Sequence, residues 1–225
     1  MISLLLTLLG CPAEQLRIEL PKGGIQALAM EDVQRDLQQL EQLGDRSVGT
    51  PMHEESARRV QRRLEEMHTL PGYGRMYAQN TEHGMVVCGQ KDGSGGGVVV
   101  VLALDEGGGA ASSGAQVAAL ISLAKTYDVP QNPPKSLLFC TAPSVEAYFA
   151  KPAWPADKTL ALLTLGPLAG PELSSEDSEV EGVRRVHLHS GPVAPENDRM
   201  SLVDGRVVLK RIERIREATD ALAGG

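Results

Sequence analysis

Few side chains in this sequence could do chemistry, and most of them follow apolar runs. Asp105 and Glu106 end the run Gly97 to Leu104, just before a glycine, alanine and serine loop that reaches Gly114. Glu146 follows a second run, Ser136 to Ala142, and His187 and His189 stand one residue apart in a weakly alternating segment, Val183 to His189. Carboxylates and imidazoles in such places can ligate a metal or move protons. Residues two apart on a strand share a face, so the histidine pair could supply half of a metal site; with no second cluster beside it, it reads instead as an exposed pair on an edge strand. Ser113 and Cys140 are candidate nucleophiles, but neither has a recognisable base, and no Gly-x-Ser-x-Gly elbow surrounds the serine. Simpler roles exist for these residues. Ser112 and Ser113 suit a helix N-cap, Glu146 a first helical turn, and Cys88 and Cys140 small apolar positions in strands. The three cysteines match no zinc or redox spacing, and a disulfide between Cys88 and Cys140 stays open. His53, His68 and His83 read as surface residues.

The apolar pattern describes what must position these groups. Gly97 to Ala124 reads as a buried parallel strand feeding a helix through a crossover loop, and in open α/β sheets such loops are where ligands bind. Asp105 to Gly114 is therefore the expected site, although it carries almost no functional side chains. Helices are predicted from Met30 to Gly44 on Val33, Leu37 and Leu40, and from Met52 to His68 on Ala57, Val60, Leu64 and Met67. Two more follow, at Ser113 to Tyr127 and around Val208 to Leu222, the last with Lys210, Arg211, Glu213 and Arg214 in exposed positions. Strands are predicted at Met85 to Gly89, Gly97 to Leu104, Ser136 to Ala142, Thr159 to Leu165 and Val183 to His189. Lys91 to Gly96 reads as a hairpin connection between the first two, and Pro167 to Ser178 as an acidic loop. The pattern implies an α/β fold, a three-layer, mostly parallel sheet flanked by helices.

Composition narrows the function classes. With 225 residues, 42% apolar and 23% charged, the chain suits one globular domain. A net charge of −7 argues against nucleic acid as a partner. The basic residues Arg58, Arg59, Arg62 and Arg63 alternate with glutamates on one helix and read as a solvated, salt-bridged face. Residues 1–11, ending Leu8-Leu9-Gly10-Cys11, are too short to span a bilayer, which takes about 20 apolar residues. They resemble a bacterial lipoprotein signal, in which Cys11 would be the lipid attachment point and the only contact with the membrane. Residues 12–29 then form a tether or edge segment, and residues 30–225 the domain. The expected location is the bacterial cell envelope if Cys11 is processed, and otherwise soluble.

In order along the chain, several segments resemble the di-zinc aminopeptidases of metallopeptidase family M twenty-eight. Arg46 to Pro51 matches that family's Arg-x-x-Gly-Thr-Pro turn, and Ala103-Leu104-Asp105 its strand ending in His-x-Asp. Gly107 to Gly114, leading into Ala115 to Leu123, matches the loop with the bridging aspartate. Phe139 to Glu146 matches the strand ending in Glu-Glu, and Ala194 to Asp198 the late His-x-x-x-Asp. The resemblance implies a zinc-exopeptidase-like fold, but the positions that would carry the chemistry are changed. It places the first histidine ligand at Ala103, the bridging aspartate at Ala110, the general base at Val145, a later aspartate at Gly166 and the last histidine at Ala194. Glu146 stands at a ligand carboxylate position, and Asp105 where a carboxylate would orient the missing histidine. Alanine, glycine and valine side chains have no donor atom, so no catalytic residue, metal ligand or cofactor is expected.

The reading that follows is a catalytically degenerate zinc-aminopeptidase-like protein with a non-hydrolytic binding or structural role, its partner a peptide or protein. The alternative is a metal-dependent aminopeptidase with atypical ligands, for which zinc would be the cofactor. A third possibility is a subunit whose cleft is filled by its own side chains.

Overall fold

A computed structural model describes residues 30–129, 132–194, 197–200 and 203–224. Cys11, the leader and the tether lie outside the described residues. Two helices open the domain, α1 (Met30–Glu41) and α2 (Pro51–Glu66). Thr50 caps α2 by accepting from the His53 N–H at 3.2 Å, and Pro51 fills its first turn. The strands β1 (Leu70–Pro71), β2 (Ala78–Thr81), β3 (Gly84–Lys91) and β4 (Gly95–Leu104) follow. A π-helical turn (Ala110–Gly114) leads into α3 (Ala115–Thr126) and then β5 (Lys135–Ala142), α4 (Val145–Ala150) and β6 (Thr159–Leu165). The chain closes with β7 (Ser174–Val180), β8 (Val183–His189) and α5 (Gly205–Gly224).

One mixed sheet runs in the order β1-β3-β5-β4-β6-β8-β7, with β2 also paired to β3. The pairings among β5, β4, β6 and β8 are parallel, and those at both edges are antiparallel. This is an α/β fold with helices on both faces, as its sequence pattern implies. The helical cover is unequal. Val99, Val101 and Ala103 of β4 point into the core shared with α1, α2, α3 and α5, while Val98, Val100, Leu102 and Leu104 point to the side of the six-residue α4. Burial on both faces explains why β4 is continuously apolar. α3 is buried almost all round, since it contacts the sheet as well as α1, α2 and α5. Its small residues allow that close packing.

Expectations about the strands and the closing helix change in the structure. β3 and β4 do not form a hairpin, because β5 lies between them. The glycine-rich connection instead crosses the start of β5, where Ser94 and Gly95 donate to the Pro133 and Pro134 carbonyls at 3.0 and 2.9 Å. The acidic segment expected to be a loop, Pro167 to Ser178, includes most of β7, which is an exposed edge strand; its polar residues conceal a strand that buries neither face. β8 keeps its predicted bounds but is covered by β7, so the histidine pair is not on an edge. Arg211, expected in an exposed position of α5, is 5% exposed.

Cys88 and Cys140 face each other on β3 and β5 and form a disulfide spanning 52 residues of sequence. Closing a loop of that length stabilises the fold by about 4 kcal/mol through the unfolded chain. Among the described residues no helix is long and apolar enough to cross a membrane.

Candidate functional site at the carboxyl ends of the parallel strands

The loop after β4 lies where the sequence places a site, and apart from Glu106, which is exposed, its polar side chains are engaged in hydrogen bonds within the protein. Arg46, fully buried, sits in the turn that precedes α2. It donates through Nη1 to the Leu40 carbonyl at 3.0 Å and through Nη2 to Asp105 Oδ1 at 3.3 Å and Ser113 Oγ at 3.2 Å. The second Asp105 oxygen accepts from the Ser56 hydroxyl at 3.0 Å. Asp105, 7% exposed, is thus the counter-ion of a buried guanidinium, a sufficient reason for a carboxylate to stand there. Ser113 accepts from that guanidinium and does not cap α3, which has no side-chain cap.

A second carboxylate closes the same loop from a distant part of the chain. Asp198 Oδ2 accepts from the Gly109 N–H at 2.7 Å and from the Ser112 hydroxyl at 2.5 Å. Its Oδ1 accepts from the Ala111 and Ser112 N–H groups at 2.9 and 2.8 Å. Gly109 must be glycine, because a Cβ there would lie 2.4 Å from the Asp198 carbonyl oxygen. Burial by itself would raise the Asp198 carboxyl, but its hydrogen bonds from Ser112, Gly109 and Ala111 together hold it below the ordinary aspartate value. Ala110, the expected position of a bridging carboxylate, is fully buried beneath this cap, as is Ala103.

The neighbouring strand ends carry the remaining positions. Ser144 caps α4 by accepting from the Ala147 N–H at 3.1 Å, which turns Val145 inward and leaves Glu146 exposed. The Glu146 backbone N–H, then the Ser144 hydroxyl, hold its carboxyl below the usual glutamate value, so it behaves as a helix-start residue. Gly166, at the end of β6, leaves room for the His187 ring: a Cβ there would lie 2.9 Å from the imidazole Cε1. His187 and His189 are stacked with ring centroids 4.9 Å apart. His187 Nδ1 shares a 2.8 Å hydrogen bond with the Thr164 hydroxyl. His189 Nδ1 accepts from the Gly191 N–H at 3.1 Å, and its Nε2 faces Glu176 at 3.2 Å. Burial, followed by Arg185 and His189, pushes the His187 pKa down and favours its neutral form. Ala194 is exposed, in the turn closed by the Asn197 N–H on its carbonyl at 2.8 Å.

The residues present do not fit a two-zinc centre. Ala103, Ala110, Val145 and Gly166 have no donor atoms, Asp105 is held by Arg46 and Ser56, and among the described residues no group of three or more His, Cys, Asp or Glu could hold a metal ion. Sequence reading missed three participants. Arg46 was legible only as part of a turn, and Asp198 only as the last residue of a motif. His53 is buried, not a surface residue: its Nδ1 bonds the Arg46 carbonyl at 3.1 Å and its Nε2 accepts from the Met85 N–H at 3.0 Å, tying α2 to β3. His68 and His83 are exposed, as expected.

No protein-family model matches the chain, and no curated protein is similar to it in sequence. Solved structures are similar in fold. The LapA aminopeptidase of Legionella pneumophila superimposes with a TM-score of 0.70 at 12% identity, over 90% of this chain and 72% of that one. A glutaminyl cyclase of Porphyromonas gingivalis gives 0.64 at 11% identity, over 86% and 98% of the two chains. A putative Zn-dependent exopeptidase of Bacteroides vulgatus gives 0.65 at 9% identity, over 88% and 96%. The chain therefore has the fold shared by zinc exopeptidases and glutaminyl cyclases.

Proposed function

We propose that this chain is a catalytically degenerate member of the zinc-aminopeptidase-like fold, with a non-hydrolytic binding or structural role at the bacterial cell envelope. The observation that carries the reading is the loop after β4. Its amides and hydroxyl are satisfied by the chain's own Asp198, the buried Asp105 is committed to Arg46 while the adjacent Glu106 faces solvent, and alanine stands at Ala103 and Ala110, where the resemblance places two ligands. A metal-bridging carboxylate would have to enter a space already closed by packing and hydrogen bonds. The Cys88–Cys140 disulfide suits an oxidising compartment and so supports an envelope location, with Cys11 as the proposed lipid attachment point. A peptide or protein is the proposed partner, on analogy of fold alone.

The test is metal analysis of the purified chain together with turnover of an aminoacyl-arylamide. The expected result is sub-stoichiometric zinc and no release of arylamine above the buffer rate. Two zinc ions per chain, with hydrolysis abolished by a chelator and restored by zinc, would establish the active-aminopeptidase alternative instead.

A further inference from the structure

At one edge of the sheet, β7 pairs with β8 over all seven of its residues without a bulge, and no other described strand lies on its outer side. Edge strands are ordinarily kept from pairing with other chains by being short or bulged, or by carrying proline or lysine. β7, SSEDSEV, has none of these and is exposed at all but its last residue.

The turn that joins the two strands fixes which backbone groups face outward. Glu181 and Gly182 both have positive φ, 50° and 75°, as a two-residue hairpin turn demands, so the flanking pair Val180 and Val183 exchange hydrogen bonds. Counting back in twos, Ser178, Glu176 and Ser174 also turn their backbone groups to β8, whereas Glu179, Asp177 and Ser175 turn theirs outward. On the other side of β8 the Leu188 carbonyl accepts from the Gly166 N–H at 2.9 Å, which agrees with that phase, since Leu188 is the partner of Ser175.

The side chains at this edge are acidic. β7 carries Glu176, Asp177 and Glu179 and no base. Asp177 is answered by Arg184 at 2.6 Å and Glu176 faces His189 at 3.2 Å. Glu172, Glu179 and Glu181 are exposed and have no ion pair among the described residues. On the α5 side a groove of about 490 Å³ opens beside the start of β7, walled by Leu173, Leu188 and Ala218. Arg214 and Glu217 at its rim pair with each other at 3.1 Å, so they bring it no net charge.

We propose that the outer edge of β7 is the docking site for an extended, basic segment of a partner protein, which joins the sheet as a further strand against Ser175, Asp177 and Glu179. Main-chain hydrogen bonds supply the pairing. Lysine or arginine on the added strand meets Glu172, Glu179 and Glu181, and an apolar residue beside Ser175 lies against Leu173 and Ala218. A second copy of this chain suits the edge poorly, because β7 against β7 sets carboxylates against carboxylates. The proposal gives the peptide or protein partner of the proposed function a place and a chemistry. It rests on that partner role and not on the loss of metal, so zinc content tests the one and the edge tests the other.

The experiment is fluorescence anisotropy of a labelled short peptide alternating lysine and valine, titrated with the full chain at pH 7 and about 150 mM ionic strength, where long-range attraction is screened. A glutamate-valine peptide reverses the charge, and a lysine-proline peptide keeps the charge but cannot pair as a strand. The lysine-valine peptide binds and the other two do not. Ser175→Pro removes one outward N–H without touching a charge, at a position where an edge strand tolerates proline, and weakens binding by about five- to tenfold. Glu179→Lys, on an exposed side chain, weakens it as well. No binding of the lysine-valine peptide, equal binding of the lysine-proline peptide, or unchanged affinity in Ser175→Pro would each overturn the proposal. So would a concentration-dependent dimer that Ser175→Pro abolishes, which would make a second copy the occupant.

Discussion

Two buried arginines mark opposite ends of a spectrum in this molecule. Arg46 is fully buried and its charge is answered by Asp105: Nη1 bonds a helix-end carbonyl, Nη2 bonds Asp105 and Ser113, Ser56 holds the remaining Asp105 oxygen, and Nε alone has no partner among the described residues. Arg211 is almost as buried, at 5% exposed, and among the described residues it hydrogen-bonds only the Gly170 carbonyl. The first network joins the turn before α2 to the loop after β4 and locks that end of the sheet. The second leaves a buried charge with no carboxylate beside it among the described residues. What differs is the counter-charge, since each guanidinium keeps one buried nitrogen without a hydrogen-bond partner among the described residues: Arg46 has a carboxylate against it and Arg211 a backbone carbonyl.

The same substitution at the two positions is the sharpest way to break this comparison. Arg46→Met strands Asp105 in the interior with one serine donor, and should cost about 3–5 kcal/mol in urea unfolding. A cost below about 1 kcal/mol would mean that the Arg46 network does not hold the closed end. Asp198→Ala should cost less, about 1–3 kcal/mol, because it leaves three backbone N–H groups and the Ser112 hydroxyl without their acceptor in a partly exposed place. The sign with pH follows from its depressed folded-state pKa. The Asp198 contribution is complete above the unfolded aspartate value, near 3.9, and is lost as pH falls through the lower folded value. The stability curves of the native chain and Asp198→Ala should therefore converge in that acid window and stay parallel at neutral pH. Arg211→Met should have the smallest effect in ligand-free buffer, from no change to a modest gain, since an unpaired buried charge is exchanged for an apolar side chain of similar length. A loss as large as that for Arg46→Met would place Arg211 among the satisfied residues and erase the distinction.

The two arginines also differ in how far sequence reading reaches. Arg46 belongs to a turn whose neighbours Gly49, Thr50 and Pro51 announce a helix start, a signal contained within six residues. Arg211 was read as exposed because its type is usually solvated and its helix has charged residues beside it. Only the loop from Pro167 to Leu173, forty residues earlier in the chain, covers it. Asp198 falls between these cases. Its place in a family-like motif was legible, but its role as an acceptor for the Gly109 to Ser112 amides depends on two segments almost ninety residues apart. His53 shows the same limit: nothing in a charged helix foretold that both its ring nitrogens would join α2 to β3.

Apolar periodicity and local turn chemistry, acting over a few residues, were enough to specify the four long helices and the central strands. Strand order was not, because pairing depends on which backbones meet after collapse: β5 inserts between β3 and β4, and the polar β7 finds an edge. The same holds for charge. A side chain's type is written in the chain, but whether its charge is paired, capped or left alone is decided by segments that become neighbours only when the core excludes water.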